Sequence, residues 1–212
     1  NQNISFEVVI VDNASKDNTL EYLYSIKNKI RLRIIENSIN LDDTIANNQI
    51  LQIVESDLYL KLDSDIIFTQ HDKILEAIAF LNQNDYTVIG PFWDLSLTRR
   101  HEISKWANYE NSKLLFQEAE KALKKINHHF DVTMKLPRGN FMLMNAHRIK
   151  EIGGFDEFYL HNAMEFPLIM KLLESGYDYG NFDDNSIIHR PSIEIRERIR
   201  EVIENDKNNN NS

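Results

Sequence analysis

Short apolar segments alternate with helix-like segments through the first ninety residues, and this alternation restricts the fold more than any other feature. The segment 6–11 (FEVVIV) is β-branched, apolar at nearly every position and followed by the polar run DNASKDNT. Such a run is typical of a parallel strand buried on both faces. Further strands are predicted at 32–36, 58–63 and 87–90, and the intervening helices begin near Ser15 or Asp17, at Leu41 and at His71.

This order predicts an α/β fold with a mainly parallel, Rossmann-like sheet flanked by helices. The alternation stops at about residue 91, and a loop followed by a long amphipathic helix is predicted up to about residue 137. Beyond it we predict a strand at 141–145, a helix at 146–152, a turn at 153–158, a helix at 165–173 and a strand at 185–190.

No internal repeat or domain boundary is visible, so a single domain is expected over residues 1–200. The remainder, 201–212, is polar and of low complexity, which predicts a disordered tail. The first residue is Asn rather than Met, and we therefore expect this chain to be a segment of a longer one.

Composition excludes several classes of protein. The chain has 33 acidic and 24 basic residues, a net charge of −9, which disfavours binding to a nucleic-acid backbone. It has no cysteine, so disulfides, thiolate catalysis and Cys-ligated zinc are excluded. No apolar run approaches the ~20 residues of a transmembrane helix, and no signal peptide is recognisable. We expect a cytoplasmic protein, either free or peripheral to a membrane through parts of the protein outside this chain.

The stretch LKLDSDIIF places Asp63 and Asp65 at the end of an apolar strand, although carboxylates are costly to bury. Ligands of parallel sheets bind beyond the carboxyl ends of the strands, so the pair is expected at the mouth of a site. Carboxylate oxygens there suit a hard divalent cation shared with substrate phosphates. The alternative is a structural one, a helix cap or Asx-turn.

Three features in the second half of the chain indicate a functional site only when they are taken together. His189 follows an apolar run, where a histidine is more often structural than a ligand. The motif GGFDE (153–157) supplies two glycines for positive φ and a helix stop. Glu165 begins a helix, where the helix dipole favours an acid. The chain has no G-x-G-x-x-G, P-loop or H-E-x-x-H motif, which weakens oxidoreductase, NTPase and zinc-protease interpretations.

Together, and in this order, the motifs resemble glycosyltransferase family 2, whose members have the GT-A fold. The segment FEVVIVDNASKDNTLEYL is similar to the family's second strand and turn, and NLDDTIANN to its N-x-G-x-x-x-A-x-N segment. LKLDSD is similar to its D-x-D motif, GGFDEF to its G-G-F-D-E turn, and MEFPLIMKLLESGY to its E-D-x-D-L-x-x-R-x-x-x-x-G-Y helix. The resemblance covers roughly residues 6–191.

The resemblance implies a role for each matching residue. Asp12 would contact the nucleotide base, and Glu165 would be the catalytic base. The other expected roles are nucleotide binding by Asn40, Asn48 and Asp63, metal binding by Asp65, His189 and Asp63, and acceptor binding by Trp93, Asp156 and Glu157.

The implied function is metal-dependent, inverting transfer of a hexose or related sugar from a nucleotide-diphosphate sugar to an acceptor hydroxyl in glycan biosynthesis. A UDP-sugar donor and Mn²⁺ or Mg²⁺ are favoured, with a glycan, a lipid-linked molecule or a protein as acceptor. Inversion needs one displacement and no covalent intermediate, so one base carboxylate suffices.

Departures from the family pattern support an alternative, a catalytically silent GT-A-like binding or scaffold domain. The family's first strand and its P-T-Y-N turn are missing from this chain, Asp42 stands where glycine is usual, and the E-D pair becomes Met164-Glu165. The later acid of that helix becomes Pro167. A nucleotidyltransferase would share the carboxylate–metal logic, but it would need a basic glycine-rich phosphate loop near the start, which is not visible.

Overall fold

The computed structural model describes residues 4–94, 135–157, 164–182 and 186–189. Their elements, in chain order, are β1 (Val8–Asn13), α1 (Thr19–Ile26), β2 (Leu32–Asn37), α2 (Asp42–Ile53), β3 (Leu58–Leu62), β4 (Ile66–Phe68), α3 (Lys73–Gln83), β5 (Val88–Gly90), β6 (Phe92–Asp94), β7 (Lys135–Pro137), β8 (Phe141–Asn145), α4 (Ala146–Glu151), α5 (Glu165–Glu174), β9 (Tyr179–Asn181) and β10 (Ile187–His189).

The central sheet is mixed, so the prediction of a mainly parallel sheet is wrong. Its strand order is β3-β8-β5-β9, in which β8 runs antiparallel to both β3 and β5, and β5 runs parallel to β9. Leu143 of β8 lies opposite Leu60 on one side and Ile89 on the other. Strands joined by a helical crossover are held parallel. The connection from β5 to β8 passes through β6 and β7, which pair antiparallel, so it is not a single helical crossover and does not require β8 to run parallel to β5.

The alternating side chains of β8 explain why the sheet is covered on both faces. Met142 and Met144 belong to the apolar cluster that contains Leu168, Ile169 and Leu172 of α5. Phe141 and Leu143 point to the other cluster, with Ala77 and Leu81 of α3. Since both faces of a strand buried in this way must be apolar, its sequence reads as a continuous apolar run.

A cavity of about 1730 Å³ separates β1 from β3. In the described part of the chain β1 pairs only with β2, and β3 pairs only with β8, so each presents an open edge. Apolar side chains of both strands line the cavity, together with residues of α2 and α3, and its lining continues to Asp63 and Asp65. Although the sequence of β1 is typical of a fully buried strand, most of its residues are only partly buried.

Smaller elements were harder to predict than long ones. The strands predicted at 32–36, 58–63 and 141–145 are confirmed to within one residue. The sequence analysis did not predict β4, β6, β7 and β9, because each has three residues and is too short to show a periodic pattern. The long amphipathic helix and the polar tail fall on residues outside those described. Among the described helices, none is long and apolar enough to cross a bilayer.

Candidate active site

A buried lysine lies beside an acid at the carboxyl end of β3. Lys61 is 5% exposed, and its Nζ donates a hydrogen bond to Asp63 Oδ1 over 2.6 Å. The same ammonium donates to the carbonyl oxygen of Gly139, and Asp43 Oδ2 lies 3.5 Å from it. An ammonium is costly to bury without opposite charge and hydrogen-bond acceptors. These three partners explain how the lysine is accommodated in an apolar strand.

The amide of Asn47 joins α2 to β3 behind this lysine. Asn47 Nδ2 donates to the backbone oxygen and to Oδ1 of Asp43, over 2.7 and 2.8 Å. The hydroxyl of Tyr59 donates to Asn47 Oδ1 over 2.5 Å. Burial raises the pKa of Tyr59, so its hydroxyl stays protonated and remains a donor. Desolvation raises the pKa of Asp43, and the Lys61 ammonium opposes that rise.

Glu165 meets the same group of charges from the start of α5. A Cβ atom placed on Gly139 would lie 3.1 Å from Glu165 Oε2, so the 138–140 turn approaches the carboxylate closely. Desolvation raises the pKa of Glu165; Asp43 and Asp63 add to the rise, and Lys61 opposes it. Glu165 thus lies against Gly139, whose carbonyl accepts from Lys61, and the same lysine binds Asp63. The sequence had assigned Asp63 and Glu165 to one site.

Asp65 and His189 are neighbours at the level of the backbone. Asp65 lies in the turn before β4, with Oδ1 enclosed by protein. β4 and β10 pair antiparallel, with His189 opposite Ile66, the residue after Asp65. The His189 side chain is outside the described part. Among the side chains that are described, no three acids or histidines form a group able to hold a metal ion. An enclosed carboxylate oxygen at this point nevertheless fits a hard divalent cation.

Asp12 and Asn40 both close turns at the ends of their elements. Asp12 is 4% exposed, and its Oδ2 accepts a hydrogen bond from the Ser15 N–H over 3.1 Å. Asn40 Oδ1 accepts from the Asp42 N–H over 2.9 Å. These are Asx-type turns. Nucleotide binding by either side chain stays a prediction.

Asn48 ties α2 to the GGFDE turn. Its Oδ1 accepts from the Phe155 N–H, and its Nδ2 donates to the Phe155 carbonyl, both over 2.9 Å. Nδ2 also donates to Glu157 Oε1 over 2.8 Å. Asp156 lies 4.0 Å from Lys171, measured from Oδ2 to Nζ. The described contacts of Asn48 are thus those of a structural bridge, and its predicted role in nucleotide binding stays a prediction.

Trp93 lies on β6, where its backbone is paired with Leu136 of β7. Its side chain is outside the described part, as is the whole of Trp106, which was the other tryptophan considered for sugar stacking. The acceptor role of Trp93 therefore stays a prediction.

Sequence reasoning missed Lys61 and Asp43. The available signal was a single lysine inside an apolar strand two residues before an acid, LYLKLD. A charge in such a place needs a partner, and the search for one would have pointed to the acids at the start of α2.

Comparisons with known proteins identify the family and the fold. The model of the family "Glycosyl transferase family 2" matches residues 1–140, about two thirds of the chain. Among curated protein sequences, none matches significantly.

Two solved proteins illustrate the likeness in fold. The mannosyltransferase PcManGT of Pyrobaculum calidifontis, in complex with GDP-Man and Mn²⁺, is 16% identical over 84% of this chain and 46% of its own, with a TM-score of 0.57. S. aureus TarS 1-349 is 18% identical over 86% of this chain and 50% of its own, with a TM-score of 0.51. The same TarS fragment was also solved with UDP. The chain spans about half the length of these proteins, and the likeness extends to the GT-A fold alone.

Proposed function

The chain belongs to glycosyl transferase family 2, and from this premise we propose that it is a metal-dependent, inverting glycosyltransferase that uses a nucleotide-diphosphate sugar. The observation that carries the proposal is that the buried Lys61 binds Asp63, Asp43 and the carbonyl of Gly139, the residue against which Glu165 lies. A UDP-sugar or GDP-sugar is the donor class, because TarS has been solved with UDP and PcManGT with GDP-Man.

Glu165 is the proposed base. An acceptor hydroxyl is a weak nucleophile at neutral pH until a positioned group takes its proton. Desolvation raises the pKa of Glu165, which makes its ionised carboxylate a stronger base than an exposed glutamate. In the transfer step the acceptor oxygen forms a bond to the anomeric carbon, the bond from that carbon to the diphosphate breaks, and the hydroxyl proton moves to Glu165.

On the donor side, Asp63 and Asp65 face the leaving group, with Asp12, Asn40 and Asn48 toward the nucleotide. The residues that would hold a divalent cation are Asp65 and His189, with Asp63 contributing its free oxygen. The cation, when bound, would supply positive charge to balance the diphosphate. Trp93, Asp156 and Glu157 are assigned to the acceptor side.

We also propose that one more strand is inserted between β1 and β3. The two open edges and the apolar cavity between them support this proposal. An apolar strand there would join the two sheets and cover the partly buried residues of β1.

Thermal unfolding with added nucleotides tests the donor class. A ligand that binds the folded state at 100 times its Kd stabilises that state by about 2.7 kcal/mol. UDP, GDP and their sugars should therefore raise the melting temperature when Mn²⁺ or Mg²⁺ is present. In Asp65→Asn the stabilisation should no longer depend on the metal. An unchanged metal dependence in that variant would leave Asp65 as a turn residue.

Turnover tests the base. Glu165→Gln should lower transfer by about two to four orders of magnitude while donor affinity changes little, because a base acts chiefly in the transition state. Glu174→Gln, at the exposed opposite end of α5, is the matched control. Near-normal turnover of Glu165→Gln would move the base to Asp156 or Glu157.

The silent-domain alternative is favoured by one observation, the ion pair in which Lys61 already engages Asp63. It predicts that the wild-type protein binds a nucleotide or a glycan but neither transfers nor hydrolyses any nucleotide sugar. Release of UDP or GDP from a panel of nucleotide sugars distinguishes the two functions.

A further inference from the structure

Lys61 is the buried cation on which the carboxylates of the site converge. Its Nζ contacts Asp63 and Asp43 directly, and it donates to Gly139, the residue that packs against Glu165. The three acids come from three different elements, the start of α2, the end of β3 and the start of α5.

Without a cation, three carboxylates in one partly desolvated place repel one another and favour protonation. An exposed ion pair would do little to prevent this, because solvent screens it. The ammonium of Lys61 is almost completely buried and has fixed hydrogen-bond geometry, whereas the side chains of Asp63 and Asp43 are 41% and 57% exposed, so solvent screens these pairs only in part. Its charge is therefore placed to balance the acids before any ligand arrives.

Lys61 also contributes to fixing the turn at residues 138–140. Around this turn the backbone makes three hydrogen bonds: Arg138 N–H to Pro91 O over 2.7 Å, Phe141 N–H to Arg138 O over 3.2 Å and Asp63 N–H to Asn140 O over 3.0 Å. The bond from Lys61 to the Gly139 carbonyl joins the middle of the turn to the same network.

We propose that Lys61 is a positioning residue of the transfer site, which holds Asp63 and the 138–140 turn in one arrangement and thereby sets the place of Glu165 relative to Asp63. The inference rests on the proposed function for its role in transfer. Because the lysine engages Oδ1 of Asp63, that carboxylate presents Oδ2 to a donor. Lys61 itself does not contact substrate.

Amide hydrogen exchange tests the positioning role without any ligand. In Lys61→Met, protection of the Asp63, Arg138 and Phe141 amides should fall about tenfold more than protection in the β1–β2 ladder. Lys61→Arg keeps the positive charge and should retain most of the local protection. Lys171→Met is the matched control for the exchange measurement, because Lys171 also pairs with an acid and a glycine carbonyl, Asp156 and Gly154, neither of which lies in the 138–140 turn.

Unchanged protection of the three amides, or a loss no larger than that of the β1–β2 ladder, would overturn the proposal. Should Lys61→Met fail to fold, the double variant Lys61→Met/Asp63→Asn removes both charges of the closest pair and is tested in the same way. Wild-type protection of Arg138 and Phe141 in the double variant would equally overturn it.

Nucleotide binding then tests the link to function, with UDP and GDP as probes in the presence of Mn²⁺. We expect Lys61→Met to bind the preferred nucleotide about tenfold more weakly, a loss of about 1.4 kcal/mol, and Lys61→Arg to recover most of the affinity. Equal affinity in wild type and Lys61→Met would refute the positioning role in donor binding. If the wild type binds neither nucleotide, the proposed function fails, while the exchange comparison still decides whether Lys61 holds the turn.

Discussion

Two non-glycine residues near the site, Ala14 and Asp42, have a left-handed backbone conformation. Ala14 has φ 62° and Asp42 has φ 79°, and the sequence had marked Asp42 as standing where glycine is usual in the family. An L-residue in this region is strained by about 1–2 kcal/mol, less for Asp, whose side chain bonds locally. Here Asp42 Oδ1 accepts from the Asp43 N–H over 2.5 Å.

We therefore expect Asp42→Ala to be the more damaging replacement. The alanine variant keeps the backbone strain and loses the local hydrogen bond, so its free energy of unfolding should be lower than that of the wild type by about 1–2 kcal/mol. The free energy of unfolding of Asp42→Gly should be about 1 kcal/mol higher than that of Asp42→Ala. Ala14→Gly should stabilise the protein for the same reason. Urea unfolding midpoints measure all three, and equal losses for Gly and Ala at position 42 would contradict the assignment of strain.

The ionisation of Glu165 makes transfer activity fall at acid pH. Desolvation raises the pKa of Glu165 above its ordinary value of 4.5. Transfer should therefore fall on the acid side of the pH–rate profile at a pH above 4.5, where the base becomes protonated. Measuring kcat as a function of pH for the wild type checks this. The control variant Glu174→Gln should lose activity over the same acid pH range.

The same raised pKa predicts that the ionised carboxylate of Glu165, which activity requires, destabilises the folded protein. A carboxyl group whose pKa is higher in the folded state favours folding below its unfolded pKa, and this contribution is lost as pH rises through the folded pKa. At pH 7 Glu165→Gln should therefore melt at a higher temperature than the wild type, and the difference should shrink at acid pH. A lower melting temperature of the variant at pH 7 would indicate that the carboxylate has an unrecognised stabilising partner.

At the scale of elements, the contact between α2 and the GGFDE turn can be tested with two neighbouring glycines. Both have positive φ, but a Cβ on Gly153 would meet nothing within 4 Å, whereas one on Gly154 would lie 2.8 Å from Asn48 Oδ1. Gly153→Ala should cost about 1 kcal/mol, and Gly154→Ala clearly more. In an Asn48→Ala background the two losses should become similar. A persistent difference in that background would mean that the clash is not with Asn48.

The sequence predicted long elements and chemical motifs better than strand direction. The apolar runs of β2, β3 and β8 identify buried strands, but such a run looks the same in either direction, so the antiparallel entry of β8 could not be predicted. Their roles stay predictions, but Asp63 and Glu165 were singled out because the combined motifs resemble those of the family. Lys61 and Asp43 were not, because their importance depends on a contact between β3 and α2 that no local pattern encodes.

At the scale of the whole molecule, β1 and β3 each have one edge without a partner strand among the described residues, and hydrogen exchange on residues 1–212 should detect these edges. Amides of β1 that are not bonded to β2 should exchange much faster than those of β8, which is paired on both sides. A longer form of the protein that supplies the proposed strand should slow exchange at both edges. Equal protection of β1 and β8 in the shorter form would contradict the open edge.

The middle position of β8 also determines when the domain can fold during synthesis. Leu60 and Leu143 are paired although 83 residues separate them, and β5 is likewise joined to β8 by a distant contact. At 5–20 residues per second, about 4–17 s pass between the synthesis of β3 and that of its partner. During this interval β3 and β5 are apolar strands without their shared neighbour, and closing such a long loop is slow. The nascent chain is therefore exposed to aggregation at least until β8, and then α5, which packs against it, have left the ribosome.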